Sequence, residues 1–456
     1  MKWEAAVGKM SDQENQVFQD YKEQIRKQFL IPLHERNQQL KNRAFEEEST
    51  PRPDGEYQRD YTRILYSSSF RRLQGKMQLF GIQSDQFIRN RLTHSLEVAQ
   101  IAKSIADQIG YEKEEIYIVE ACSLAHDIGN PGYGHAGERF LNEIAMKFGG
   151  FEGNAQTMRI LTTVEQKRGD FQGLNLTYRT LLGILKYYNK YNLELEPEEL
   201  KKQKFIYDRD YELVQRIINE TGIELRTLDV QIVDIADEIA YAAHDLEDGL
   251  RIGVLNVDEV LHDFCNLTED KKSQLKLETI FEESKIHAGF KNPKIESAEF
   301  SKLYRKEITS KVINTLINDI GIVHLNVEQR KKRGTSHIQE IGFVNYSELA
   351  SGLKTTIYKC VTNNDQVYAY ENEGKYMMQV LFDFYLEKPD YLPSEYRAEN
   401  ILRQYREYYR KEEEKDLQKR LVIDYISGMM DQYLKTTYSK LGKTIEQTKY
   451  MHPVKG

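Results

Sequence analysis

The stretch Ala125-His126-Asp127-Ile128-Gly129-Asn130-Pro131-Gly132-Tyr133-Gly134-His135 closes one apolar helical pattern and opens another. An adjacent His-Asp pair is informative because few structural needs ask for it. Neighbours on a helix point about 100° apart, so both side chains reach one ion only where the helix is ending. Here the glycines and proline that follow end it at once.

Working outward, residues 114–128 place Ile116, Val119, Ala121, Cys122, Leu124 and Ala125 at helical spacing. Residues 92–109 do the same, with His94 on the pattern, and a further helix is expected from near His135 to Phe148, before Gly149-Gly150. The segment 228–250 carries Asp237 within a broad apolar face (Ile232, Val233, Ile235, Ala236, Ile239), and Gly249 suits its end. His94, His126, Asp127 and Asp237 thus form a set of four metal ligands. Imidazole and carboxylate together suit Mn²⁺, Fe²⁺, Co²⁺, Ni²⁺ or Zn²⁺, and Mg²⁺ less well. An ion so held, with positions left open, can polarise a phosphoryl oxygen and make water more acidic.

Two further constellations lie close by. His135 and Glu138 fall three residues apart on one helix face, the arrangement of an imidazole oriented by a carboxylate for acid–base or nucleophilic work. Asp237, Tyr241 and Asp245 recur every four residues along nearly one stripe, so a metal ligand is followed by groups able to meet a sugar.

The remaining chain is helix-rich. Residues 1–50 are polar and helical in part, and Pro51–Gly55 is a turn cluster. Arg59, Arg63, Arg71 and Arg72 crowd the segment after it, as a solvated face or as phosphate contacts. Gln329–Thr335 reads as a basic loop. Residues 355–370 form either a short hairpin around Asn363-Asn364 or an aromatic-rich helix, and 394–441 long helices of mixed charge. The fold class expected is all-α, with small β-hairpin additions in the C-terminal half. The division expected is an N-terminal helical arm (1–55), a catalytic core (56–255), and a C-terminal helical region (256–456) that completes the site and makes oligomer contacts.

The net charge of −8 argues against a chain wrapped in nucleic acid, so an anionic substrate needs a locally basic site. Three distant cysteines, Cys122, Cys265 and Cys360, form no framework and favour a reducing compartment. No 18-residue apolar run and no signal-peptide core are seen, and a soluble, cytoplasmic protein without membrane contact is expected.

An ordered series of runs resembles the HD superfamily of metal-dependent phosphohydrolases, and more closely the bacterial dGTP triphosphohydrolases. It comprises Glu56-Tyr57-Gln58-Arg59-Asp60, Ser67–Lys76, Asn90-Arg91-Leu92-Thr93-His94-Ser95, Ala125–Pro131, Phe151-Glu152-Gly153-Asn154-Ala155-Gln156, Leu176-Thr177-Tyr178, Ala236–Tyr241 and Asp424-Tyr425-Ile426-Ser427-Gly428-Met429. The resemblance implies that His94, His126, Asp127 and Asp237 hold the metal, Mn²⁺ first with Mg²⁺, Co²⁺, Ni²⁺ or Fe²⁺ as alternatives, and that His135 and Glu138 are the catalytic pair. It implies that Gln78 and Leu79 flank a deoxyribose, that Tyr241 stacks under the sugar with Asp245 beside it, and that Arg91, Lys186 and Lys204 bind phosphate. The implied reaction converts a deoxynucleoside triphosphate, dGTP by preference, to deoxynucleoside and tripolyphosphate. Broad or nucleotide-activated dNTP use, another HD nucleotidase, and a nucleic-acid-binding protein with a vestigial site remain as alternatives. A homo-oligomer, commonly a hexamer, is implied, and single-stranded DNA is a further candidate partner through Arg330–Arg333. The chain departs from the family at Pro131-Gly132-Tyr133-Gly134-His135, where the extra Gly132 is expected to loosen the loop, and at Met430 before Asp431.

Overall fold

The computed structural model describes residues 12–47, 53, 55–79, 88–362, 365–409 and 414–451. Its elements are helical apart from one two-stranded antiparallel sheet among the described residues. The central helices are α1 (Gly55–Leu65), α2 (Arg91–Ile109), α3 (Lys113–Ala125), α4 (Gly134–Ala145), α5 (Gly153–Arg159), α6 (Tyr178–Ile184) and α7 (Leu228–Ala240). α3 packs against α1 and α2, and α7 against α2 and α6. Helices Val257–Leu267, Lys271–His287 and Ser297–Ile317 follow, then β1 (Ile320–His324), α8 (Val327–Arg333), β2 (Gln339–Phe343), α9 (Ser347–Thr362), α10 (Asp365–Glu387), α11 (Glu414–Ser427) and α12 (Asp431–Met451). β1 and β2 pair with Ile322 opposite Ile341.

Local chemistry sets the ends of the helices that carry the site. Asn90 caps α2 through a reciprocal box with Thr93, and Gly110, at φ 95°, stops it. His126 is the last helical position after α3, and the chain then turns through Ile128 N–Ala125 O and Asn130 N–Asp127 O bonds of 3.1 Å. That turn lets consecutive residues face one pocket. A Cβ on Gly129 would stand 2.2 Å from Gly153 O, so only glycine lets this turn lie against α5.

Two large hydrophobic clusters organise the chain. The larger joins α1, α2, α3, α6 and α7 to the sheet and to the Leu349, Leu353, Ile357 and Val361 stripe of α9. The second joins Tyr133, Phe140, Leu141, Ala145 and Phe151, around α4, to residues Met377–Leu434 of the C-terminal helices. No described helix is long and apolar enough to cross a membrane.

Several expectations are corrected. Of the two alternatives for 355–370 the helix is found and the hairpin is not: residues 355–362 and 365–370 are helical, because Leu349, Leu353, Ile357 and Val361 bury at a four-residue period; Asn363-Asn364 lie outside the described residues. The hairpin pair lies instead at 320–343. The basic run is a helix, α8, capped by an Asn326–Gln329 box and stopped by Gly334 at φ 68°. The helix expected to end at Gly249 continues to Ile252, where Gly253 at φ 73° ends it. Arg63 is not a solvated cation: it is buried, donates to the carbonyls of Leu174 and Asn175 at 2.8 and 2.7 Å, and pairs with Glu47.

Candidate metal and phosphate site

The turn after α3 brings His126 and Asp127 beside His94 of α2 and Asp237 of α7. His94, His126 and Asp127 offer ligand atoms within 4.8 Å of one another. Asp237 Oδ1 lies 3.0 Å from His94 Nε2 and 3.5 Å from His126 Nε2, and His126 Nε2 lies 3.6 Å from Asp127 Oδ1. His126 Nδ1 meets Ser123 O at 2.6 Å, which directs the lone pair of a neutral ring to Nε2, and that atom is buried with no hydrogen-bond partner. Buried polar atoms are ordinarily paired, so this orphan faces a position made for something else.

The electrostatics point the same way. Burial works against charge on His126, but Asp127, Asp237 and the Ser123 carbonyl outweigh it and raise its pKa to about 9. Burial likewise opposes charge on Asp237, yet His126 and His94 hold its carboxyl well below the usual range. Asp127 is held down against burial chiefly by Arg91, whose Nη1 donates to Oδ2 at 2.6 Å. A pocket that draws protons onto imidazole has a negative potential, and N/O donors in such a pocket suit a divalent cation. The residues present therefore fit a metal ion.

A cavity of about 460 Å³ is lined by Leu79, His135, Glu138, Tyr241 and Asp245, and it neighbours the quartet through Tyr241. The Tyr241 ring lies 5.3 Å from that of His94. Tyr241–Asp245 is a π-helical turn between α7 and the following helix, so the stripe read as regular α-helix carries a widened turn where it meets the cavity. Such turns are favoured at functional sites. Burial, then Asp248, pushes the Asp245 carboxyl well above the carboxylate range, favouring the neutral acid. Gln78 is buried, and both atoms of its amide lack a partner.

His135 and Glu138 are less tightly made. Nδ1 and Oε2 stand 3.5 Å apart, and 49% of the His135 side chain is exposed. Glu138 is better held, accepting from Gly153 N at 3.0 Å with Lys204 4.0 Å away. Burial opposes its charge, but His135, Lys204 and the Gly153 amide keep its pKa down at about 2.

The three cations expected at phosphate do not line this cavity in the structure: Arg91 is bound to Asp127, Lys186 to Asp234 at 3.2 Å, and Lys204 to Glu152 at 2.7 Å. A cation the sequence did not reveal does line it. Lys354 of α9 places Nζ 4.6 Å from the centre of the Tyr241 ring. Lys332, on α8, has its pKa lowered by partial burial and then by Lys204, Lys186, Arg333 and Lys354, which places several positive charges about one region. Asn189 holds α8 there, donating to Lys331 O and Lys332 O at 3.2 and 2.9 Å. A larger cavity of about 690 Å³, by Arg72, Glu165, Tyr396 and Arg403, contains none of the expected site residues.

Gly132 does not loosen the loop. Pro131–Gly134 are buried, Tyr133 N donates to Asp431 Oδ1 at 3.0 Å, and a Cβ on Gly132 would stand 2.7 Å from that oxygen. The glycine admits Asp431.

Comparison with known proteins gives concordant findings. Residues 91–242 match the HD domain model, and 345–440 that of the phosphohydrolase-associated domain. The chain is 41% identical over 389 residues to deoxyguanosinetriphosphate triphosphohydrolase-like protein 2 of Vibrio cholerae, covering 84% of this chain and 87% of that one. It is 32% identical to a deoxyguanosinetriphosphate triphosphohydrolase-like protein of Shewanella sediminis (83% and 89% covered) and to a like-named protein 2 of Deinococcus radiodurans (87% and 96%).

Proposed function

The chain belongs to the HD-domain family of deoxyguanosinetriphosphate triphosphohydrolase-like proteins, and on that premise we propose that it hydrolyses a deoxynucleoside triphosphate at the α-phosphorus. The products are a deoxynucleoside and tripolyphosphate, and dGTP is the preferred substrate. The observation that carries this reading is the cavity shared by the metal-capable quartet's neighbour Tyr241, the His135–Glu138 pair and Lys354.

His94, His126, Asp127 and Asp237 would hold the ion, Mn²⁺ in the first instance, which supplies Lewis acidity toward a phosphoryl oxygen. The chain's own groups do the rest. Water adds to the α-phosphorus and gives up a proton to solvent, the bond to the 5′-oxygen breaks, and His135 gives that oxygen a proton, which is then replaced from solvent. Glu138 fixes the tautomer of the ring and is itself fixed by the Gly153 amide. Gln78 offers its unpartnered amide to the 3′-hydroxyl, and Tyr241 lies under the sugar, where a 2′-hydroxyl would crowd it. Asp245, favoured as the neutral acid, can both donate to and accept from a sugar hydroxyl. Lys354, with Arg91, Lys186, Lys204 and Lys332 behind it, offsets the charge of the triphosphate.

The test is product analysis by HPLC with each dNTP alone and all four mixed, with Mn²⁺ present. Deoxyguanosine and tripolyphosphate from dGTP are expected. Orthophosphate as the first product would replace this reading with a nucleotidase, and turnover of one dNTP only in the presence of another would show an activator site.

A further inference from the structure

The run Asp424–Asp431 stands out in the sequence, yet no step above uses it. Asp424 anchors its start, accepting from Arg159 Nη2 at 2.7 Å and Gln156 Nε2 at 2.9 Å. Ser427 O, midway, accepts from the buried Lys76 Nζ at 2.8 Å, which also donates to Asn130 O beside the metal-ligand turn. Asp431 closes the run. Its Oδ1 accepts from Tyr133 N at 3.0 Å, and its Oδ2 from Met77 N at 3.1 Å and from the Tyr370 hydroxyl at 2.7 Å.

Each of these donors lies outside the helix that Asp431 begins, so the carboxylate does more than cap α12. Tyr133 is two residues before His135, and Met77 directly precedes Gln78 and Leu79. Tyr133 adopts φ 60°, a costly conformation for a non-glycine residue, which its surroundings hold in place. Its ring packs 4.5 Å from that of Tyr370 and rests on Gly374, where a Cβ would approach to 2.2 Å.

We propose that Asp431 is a positioning residue that sets the acid–base loop and the sugar-side segment in register with each other. One carboxylate holds both the approach to His135 and the approach to Gln78–Leu79, so the 5′-oxygen and the 3′ side of one deoxyribose are fixed together. The proposal rests on the dNTP-hydrolase reading above. Asparagine in its place keeps the shape but swaps one acceptor oxygen for a donor, which must then face one of the donors it now meets.

The experiment is Asp431→Asn, alone and in a His135→Ala background, with Tyr370→Phe beside it. Asp431→Asn is expected to lower kcat about 10- to 100-fold, the scale of a misplacement of about 1 Å. It is also expected to narrow the preference for dGTP over GTP, and to leave Mn²⁺ affinity by calorimetry within about twofold of wild type. In the His135→Ala background the loss in kcat should be smaller, because one of the two groups it positions is gone, while the narrowed preference for dGTP over GTP should remain. Tyr370→Phe, which leaves both amide bonds, should lower kcat only a few-fold, and carries the test if Asp431→Asn does not fold. Wild-type kcat in both variants, or equal losses with and without His135, overturns the positioning role. A wild-type enzyme inert to all four dNTPs overturns the hydrolase reading and this proposal with it.

Discussion

In the buried quartet, His94 is wholly enclosed and its Nε2 lies 3.0 Å from Asp237; at the cavity, His135 leaves half its side chain in solvent and stands 3.5 Å from Glu138. The two histidines also rest on different hydrophobic clusters. α2, α3 and α7, which carry or directly precede the metal-capable quartet, pack within the larger one, whereas α4 packs its apolar face on the C-terminal helices. The difference teaches that the metal-capable quartet is held by the core of the fold, while the His135–Glu138 pair sits on the packing of α4 against the C-terminal helices.

The sharpest way to break this contrast is to remove one group from each side. Asp237→Ala should abolish Mn²⁺ binding by calorimetry and lower dGTP turnover by at least about 10³-fold, since a Lewis acid supplies several kcal/mol. His135→Ala should lower turnover on the order of 10²–10⁴-fold with Mn²⁺ binding intact. A His135→Ala variant that loses the metal, or retains near-wild-type turnover, would erase the distinction between the buried quartet and the exposed pair.

A smaller effect is expected at the third wall. Lys354→Met should raise KM for dGTP about tenfold, the scale of one hydrogen bond to a charged group, and change kcat little. An unchanged KM would show that the lysine serves Tyr241 and not the substrate.

The smallest effect is one of stability against pH. Glu138 has a folded pKa of about 2 against the ordinary 4.5, so its charge stabilises the fold above about pH 4.5, and this is lost as pH falls toward 2. Glu138→Gln should therefore lower stability at pH 7, by at most about 3 kcal/mol, with the deficit shrinking in acid. A deficit that persists unchanged at pH 3 would mean that shape, not charge, holds the exposed pair.

Much of the quartet's grouping was legible in the sequence. His126-Asp127 at a helix end, His94 and Asp237 on apolar patterns, and the ordered runs around them point to the four residues that the structure brings together, because each signal is local. The α8 helix was legible too and went unread: Asn326, Gln329 and Gly334 are its cap and its stop. The π turn at Tyr241–Asp245 leaves no mark, since a widened turn keeps the same residue types and is imposed by packing. Lys354 lies far along the chain on a helix whose buried face says nothing about where its lysine points. Gly132 was misread because a glycine that frees a loop and one that admits a carboxylate look alike until Asp431 is seen against it.

The packing of α4 on residues Met377–Leu434 also has a consequence in time. A ribosome delivers His94, His126, Asp127 and Asp237 well before it delivers those helices, by on the order of ten seconds or more at ordinary rates of synthesis. A nascent chain thus holds all four residues of the quartet while the surface on which α4 packs does not yet exist. The helix that carries His135 and Glu138 therefore gains its packing surface only once the residues up to Leu434 have been made.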